Sequence, residues 1–327
     1  MIKPSHGLLI AAGLLFATTV LAKPNDSVLS TVIENDVIAG SDRHYTSGFL
    51  VSYVSGINRG PQRAANLGRR LPMIDADDDL HVGLSVGHEI YTPRRIKNPN
   101  LIPDDRPYAG YLYGAMDFTV SNARALSTWR LSAGIVGPSS RAEEGQRELH
   151  RRIGSPDPAG WEHQLKDEFA YNVSYERQWR PLCDTPRRNR LDVLPHLGLA
   201  AGNVGTYANV GAILRVGRNL CADYGPPRVR PALPGSMFFS PQGDDWTGYF
   251  YLGLDGRYVA HNIFLDGNSD KDSHSVEKRK WVGDLQLGFV VSTQRFRLAY
   301  SHVIRTKEFE VQRVHNRFGS LTLAMRL

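Results

Sequence analysis

The stretch His81 to Tyr91 reads HVGLSVGHEIY. Val82, Leu84, Val86 and Ile90 recur at every second position, and His81, Ser85 and Glu89 fill positions between them. Successive side chains of a strand face opposite sides, so this segment has one apolar and one polar face. The pattern recurs along the chain. Trp129, Leu131, Ala133 and Ile135 alternate with Thr128, Arg130, Ser132 and Gly134. Phe169, Tyr171, Val173 and Tyr175 do so with Ala170, Asn172, Ser174 and Glu176. Trp281, Leu285, Leu287 and Phe289 alternate with Asp284, Gln286 and Gly288.

A soluble sandwich also alternates, but three features favour an all-β transmembrane antiparallel barrel. The segments run to about ten residues, longer than the usual five or six and right for a tilted membrane crossing. Aromatic residues gather near segment ends (Tyr53, Tyr91, Tyr108, Trp129, Trp179, Trp281), as in an interfacial girdle. The chain also stops inside a strand, with Leu321, Leu323, Met325 and Leu327 alternating with Thr322, Ala324 and Arg326. A closed barrel uses such a strand to pair with the first and abolish the edge.

Twelve strands are expected, over 27–35, 46–55, 81–91, 108–120, 126–136, 169–179, 191–203, 207–217, 247–262, 281–292, 296–306 and 319–327. With the N-terminus in the periplasm, the extracellular loops are 36–45, 92–107, 137–168, 204–206, 263–280 and 307–318. The Pro-rich stretch 218–246 is long for a periplasmic connection, and a strand miscounted there is the alternative.

Residues 1–22 read as a secretory signal: Lys3 is followed by an uncharged apolar run from Gly7 to Leu21 and a small-residue site at Val20-Leu21-Ala22. Residues 23–327 are then a single outer-membrane domain. The mean hydropathy of −0.33 agrees with a barrel, whose strands are polar at alternate positions. The net charge of +6 suggests an anionic partner, and export argues against nucleic acid. Cys183 and Cys221 both fall in periplasmic turns, and a bridge between them is expected over a free, buried pair.

The unusual residues lie in three outer loops. In Glu34 to Gly48, Asn35 and Asp36 end one strand and Thr46 and Ser47 begin the next, so a hairpin gathers oxygen donors suited to a hard cation or merely to turn chemistry. In Tyr91 to Gly110, Arg94, Arg95 and Lys97 form a basic cluster, matched to phosphate or simply solvated. Glu143 to Arg152 reads as a short polar helix with little apolar stripe, placed to cover the barrel mouth or side. It carries His150, an imidazole suited to general-base work near neutral pH. No GxSxG elbow and no HExxH is present, so a covalent serine mechanism has little support.

Taken in order, Asn35-Asp36, Asp42-Arg43, Tyr45-Thr46, Gly48, Asp105-Arg106-Pro107-Tyr108, Gly137-Pro138, Gln146, His150-Arg151, Ile153-Gly154, Trp161 and Gln164 resemble the outer-membrane lipid A 3′-O-deacylase family. The resemblance runs from about residue 30 to the C-terminus. It implies a twelve-stranded barrel with a site between the wall and an infolded extracellular helix. It also implies Ca²⁺-dependent hydrolysis of the 3′-acyloxyacyl ester of lipid A. By the same carry-over His150 is the general base with Asn35 as a catalytic partner, and Asp36 and Thr46 hold the cation. Arg94, Arg95, Lys97, Arg106 and Arg151 face the phosphorylated sugar. Where some members carry a glutamate, this chain has Pro156 with Asp157 next. Either Asp157 supplies the second carboxylate at the metal, or the site is built differently. A monomer without a protein partner is expected. The readings set against the deacylase are a lipid-binding or pore-forming barrel without catalysis, and an outer-membrane phospholipase.

Overall fold

The computed structural model describes residues 27–36, 44–75, 78–122, 124–181, 190–227 and 246–327. The expected signal segment, the tip of the first hairpin and Cys183 lie outside them; Cys221 is buried.

Twelve antiparallel strands close into one barrel in sequence order. They are β1 (Val28–Asn35), β2 (His44–Val54), β3 (Asp79–Thr92), β4 (Ala109–Ser121), β5 (Ala125–Val136) and β6 (Glu168–Trp179), followed by β7 (Leu191–Gly202), β8 (Gly205–Arg218), β9 (Thr247–Asn262), β10 (Trp281–Ser292), β11 (Phe296–Arg305) and β12 (Asn316–Arg326). The terminal strand does pair with the first, from Val28 opposite Arg326 to Asn35 opposite Gly319. Among the described residues no further strand occurs between β8 and β9. These two are direct neighbours, with Arg218 opposite Gly248, so the barrel has no gap for another.

The barrel is apolar outside and charged within. On β3, Leu84 and Val86 are exposed while His81, Ser85 and Glu89 are buried, as the alternation requires. The lumen is filled with paired charges. Asp284 of β10 accepts hydrogen bonds from Arg257 of β9 at 2.7 Å and from Arg305 of β11 at 2.8 and 2.9 Å. His196 and Asn209 both meet Asp255 at 2.9 Å. A buried cation left without its partner is costly. We therefore expect Asp284→Ala, which takes the carboxylate from Arg257 and leaves Arg305 only the more distant Glu308 at 3.7 Å, to destabilise the barrel by about 3–5 kcal/mol. A fall in the thermal unfolding midpoint of the detergent-solubilised protein checks this, and an unchanged midpoint contradicts it.

Both ends of the lumen are crossed. At the rim that carries the chain termini, the segment after β8 turns inward through a short 3₁₀ turn at Leu220–Ala222. Its Asp223 takes hydrogen bonds from Arg215 of β8 and, at 2.9 Å, from Arg297 of β11. The long connection that looked out of place is thus, in its described part, a plug. At the opposite, loop-bearing rim, Phe264 reaches from beyond β9 across to Tyr91 of β3 and stacks on it with ring centroids 3.9 Å apart.

Three short α-helices occur among the described residues, where the sequence reading expected one: α1 (Gln62–Gly68), α2 (Ala142–Ile153) and α3 (Ile263–Asp266). The unexpected α1 packs on the outside near the terminal rim, where Gly68 lies against the Phe118 ring. It and the single turn of α3 are too short to show a helical period. Asp266 of α3 is held by Lys278 at 2.9 Å and by His261 at 3.1 Å. These contacts outweigh its burial and keep its carboxyl below the ordinary range.

Candidate active site

Strand alternation decides which side of the wall each site residue faces. On β3 and β4, His88, Ile90 and Gly110 share the outward face with Leu84, Val86 and Leu112. Asn35 stands outward at the end of β1, beyond the exposed Ile33. In register, Asn35 lies opposite Ser47, Ser47 opposite Ile90, and Ile90 opposite Gly110. These four positions form one row on the outer wall at the loop-bearing rim, and two strand spacings put Asn35 about 10 Å from Ile90.

Helix α2 seats on the outside of this row, so it covers the barrel side and not the mouth. Its buried residues are Ala142, Gln146 and His150. Steps of four place them on one face of a helix that is otherwise charged. Ala142 packs with Ile90, Tyr108 and Trp161. Gly110 permits the approach: a Cβ there would stand 2.1 Å from Ser140 Oγ and 2.2 Å from Ala142 Cβ. The Trp161 indole donates to Gln146 Oε1 at 2.8 Å, and its ring lies 4.9 Å from that of Tyr108. Burial pushes the Tyr108 hydroxyl up to about 12, so it stays protonated and donates to the Ile96 carbonyl at 3.1 Å. Glu143 and Glu144 in the first turn and Arg151 and Arg152 in the last suit the helix dipole, and Gly154 closes the helix at φ 71°.

His150 is buried on this seated face, with Nδ1 2.6 Å from the Pro156 carbonyl oxygen. A carbonyl only accepts, so Nδ1 carries a proton, and in the neutral ring Nε2 keeps its lone pair. The chain after α2 returns under the helix and sets the tautomer a general base needs.

The other expected residues divide. Asp36 is buried directly after Asn35. Thr46 falls at an irregularity of β2, where the register shifts between Tyr45 and Ser47; its side chain is outside the described atoms. Asp157 is exposed. Arg94 and Arg95 line a small cleft with Asp104 and Arg313 at the top of the loops, and Lys97 is exposed. Arg94 is tethered through its backbone N–H, which donates to Asp105 at 2.9 Å. Arg151 is exposed and paired with Glu148 on its own helix. Arg106 is fully buried, 3.3 Å from Glu308 and stacked over Tyr91, both within the barrel mouth. The structure thus brings Asn35 and α2 to one outer wall, turns Arg106 inward and leaves Asp157 at the surface. No group of three or more His, Cys, Asp or Glu placed to hold a metal occurs among the described residues.

Sequence reasoning missed His88 and the flank of α2. His88 faces α2 from the wall; its Cε1 is 3.6 Å from where a Cβ on Gly145 would stand, and its Nε2 is buried without a hydrogen-bond partner among the described residues. The signal was a polar residue in the run Leu84, Val86, His88, Ile90. Beside α2, a groove of about 600 Å³ runs between Arg147 and Lys166. No spacing rule marks those cations, because they meet only through the fold.

The family described as "Outer membrane protein LpxR" matches residues 8–327. Among solved structures, LpxR from Salmonella typhimurium superposes with a TM-score of 0.75 at 18% identity, covering 92% of this chain and 100% of that one. The β domain of the Bordetella autotransporter BrkA gives a TM-score of 0.43 at 10% identity, over 92% of this chain and 99% of that one. No curated protein matches.

Proposed function

We propose, from the premise that this chain belongs to the LpxR family of outer membrane proteins, that it hydrolyses the 3′-acyloxyacyl ester of lipid A. Membership makes it an outer-membrane β-barrel of the lipid A deacylase class; the ester cleaved, the base and the cation belong to the proposal. The observation that carries it is His150. A buried imidazole with its Nδ1 proton held by the Pro156 carbonyl lies on the face of a helix seated against the lipid-facing wall.

Nε2 of His150 takes a proton from water as the water oxygen adds to the ester carbonyl. The bond to the sugar 3′ oxygen then breaks, and His150 returns the proton to that oxygen. Asn35 faces the same wall and would orient the water or the ester. The donor chemistry beside it suits a hard cation such as Ca²⁺: the Asp36 carboxylate, the Asn35 amide and, at the bulge of β2, Thr46. Such an ion would polarise the ester carbonyl. Arg147 and Lys166 join Arg94, Arg95 and Lys97 as cations for the sugar phosphates. The active site faces outward, the chain works as a monomer, and Cys183 bridges Cys221. The plugged lumen argues against a pore.

Mass spectrometry of lipid A from cells expressing the chain tests this. Wild type with Ca²⁺ is expected to lose one acyloxyacyl unit, and both chelation and Asp36→Ala are expected to stop the loss. Unchanged lipid A from folded wild-type barrel in Ca²⁺ would overturn the proposal and favour a binding barrel.

A further inference from the structure

On the wall opposite α2, across the barrel from β3 and β4, the outer surface carries a second feature. Gly256 of β9 and Gly283 of β10 are register partners, and both face outward. A Cβ on Gly256 would meet nothing within 4 Å, and one on Gly283 would first meet Thr306 Cγ2 at 3.6 Å. Glycine is disfavoured in strands, so a cross-strand pair on an otherwise apolar wall removes side chains where they would stabilise the sheet. The result is a groove of about 560 Å³, within the size range of small-ligand sites.

Its surroundings are graded along the barrel axis. Towards the barrel middle the strands continue with exposed Leu254 and Leu287. At the groove stands Trp281, edge-on to Tyr258 with centroids 5.2 Å apart, the residue types that mark a membrane interface. Above it, at the loop-bearing rim, Arg279, Lys307 and His315 line the same groove. Glu310 stands 2.8 Å from one amino group of Arg279; the Nε of that guanidinium is buried without a partner among the described residues.

We propose that this groove is a second lipid-binding site, which holds a lipid A molecule by one acyl chain laid over Gly256 and Gly283 and a glucosamine phosphate against Arg279, Lys307 and His315. The proposal rests on the reading that the loop-bearing rim faces the lipopolysaccharide leaflet. A phospholipid of the other leaflet would carry its headgroup at the far rim, so the height of the cations selects the glycolipid. The site is separate from His150, lying five strands away around the barrel. It would hold an intact lipid beside the enzyme.

Native mass spectrometry of the His150→Ala protein, purified in mild detergent and titrated with lipid A, counts the bound molecules. Two per barrel are expected, falling to one in His150→Ala/Gly256→Leu, which puts a side chain into the groove where a Cβ meets nothing within 4 Å, and to one in His150→Ala/Lys307→Glu/His315→Glu. Phosphatidylglycerol, used as the second probe, is expected to bind with at least tenfold lower affinity at this site. Equal lipid A counts in the His150→Ala protein and the groove variants, or equal affinity for phosphatidylglycerol, overturn the proposal. Deacylation by wild type is assayed separately. Active enzyme with a single lipid in the His150→Ala count defeats this site alone; inactive enzyme with two lipids defeats the catalytic reading alone.

Discussion

Replacing His150 with alanine is expected to lower the rate of acyloxyacyl release by about 10²–10⁴-fold, the range for loss of a positioned general base. The barrel should stay folded, because His150 belongs to a helix packed on the wall and not to the sheet that closes it. The sharper test is His150→Asn. An amide can still donate to the Pro156 carbonyl, which now takes a bond from Nδ1 at 2.6 Å, but it cannot accept a proton at neutral pH. If His150 only pins the returning loop, the asparagine variant will work nearly as well as wild type. If it is the base, both variants will be equally slow. Initial rates by mass spectrometry of lipid A separate the two, with heat-modifiable gel migration as the check on folding. Rates within tenfold of wild type in both variants would remove His150 from the chemistry and turn attention to His88, the other imidazole facing α2.

The second large effect is expected at a residue with no chemistry. Gly110→Val puts a branched side chain where even a single carbon would lie 2.1 Å from Ser140 Oγ and 2.2 Å from Ala142 Cβ. Valine itself suits a strand, so β4 should keep its pairing. What must yield is α2, which lifts from the wall and takes His150 with it. A displacement of about 1 Å costs on the order of 10²-fold in a hydrolytic site. We expect at least that loss in deacylation with little change in barrel stability. Gly114→Val is the control. It lies outward on the same strand, four residues nearer the barrel middle, where a Cβ meets only the Ser85 carbonyl at 3.9 Å. That variant should fold and keep its activity. Equal activity in both would mean that seating α2 on the wall is not needed for catalysis.

The twelve strands were legible in the chain because alternation is a local property. A strand exposes one face to lipid and the other to a polar lumen, and this writes itself at every second residue of segments such as His81 to Tyr91 and Leu321 to Leu327. The closing pair of β1 and β12 followed for the same reason, since an apolar-alternating terminal strand needs a partner. The order of Asn35-Asp36, His150 and Trp161 pointed to the family that the whole-length match then showed. Tertiary structure alone decided where these residues go. Arg106 looked like a phosphate ligand among loop cations, yet it pairs with Glu308, 202 residues away, inside the mouth. The stretch after β8 looked like an idle connection until Asp223 met Arg215 and Arg297 across the lumen. Helix α2 could have covered the mouth or the side, and a missing side chain at Gly110 admitted it to the side. Periodicity reports which face of one strand is buried. It carries no information on which distant charge or gap will stand opposite, because that depends on the closure of the whole barrel.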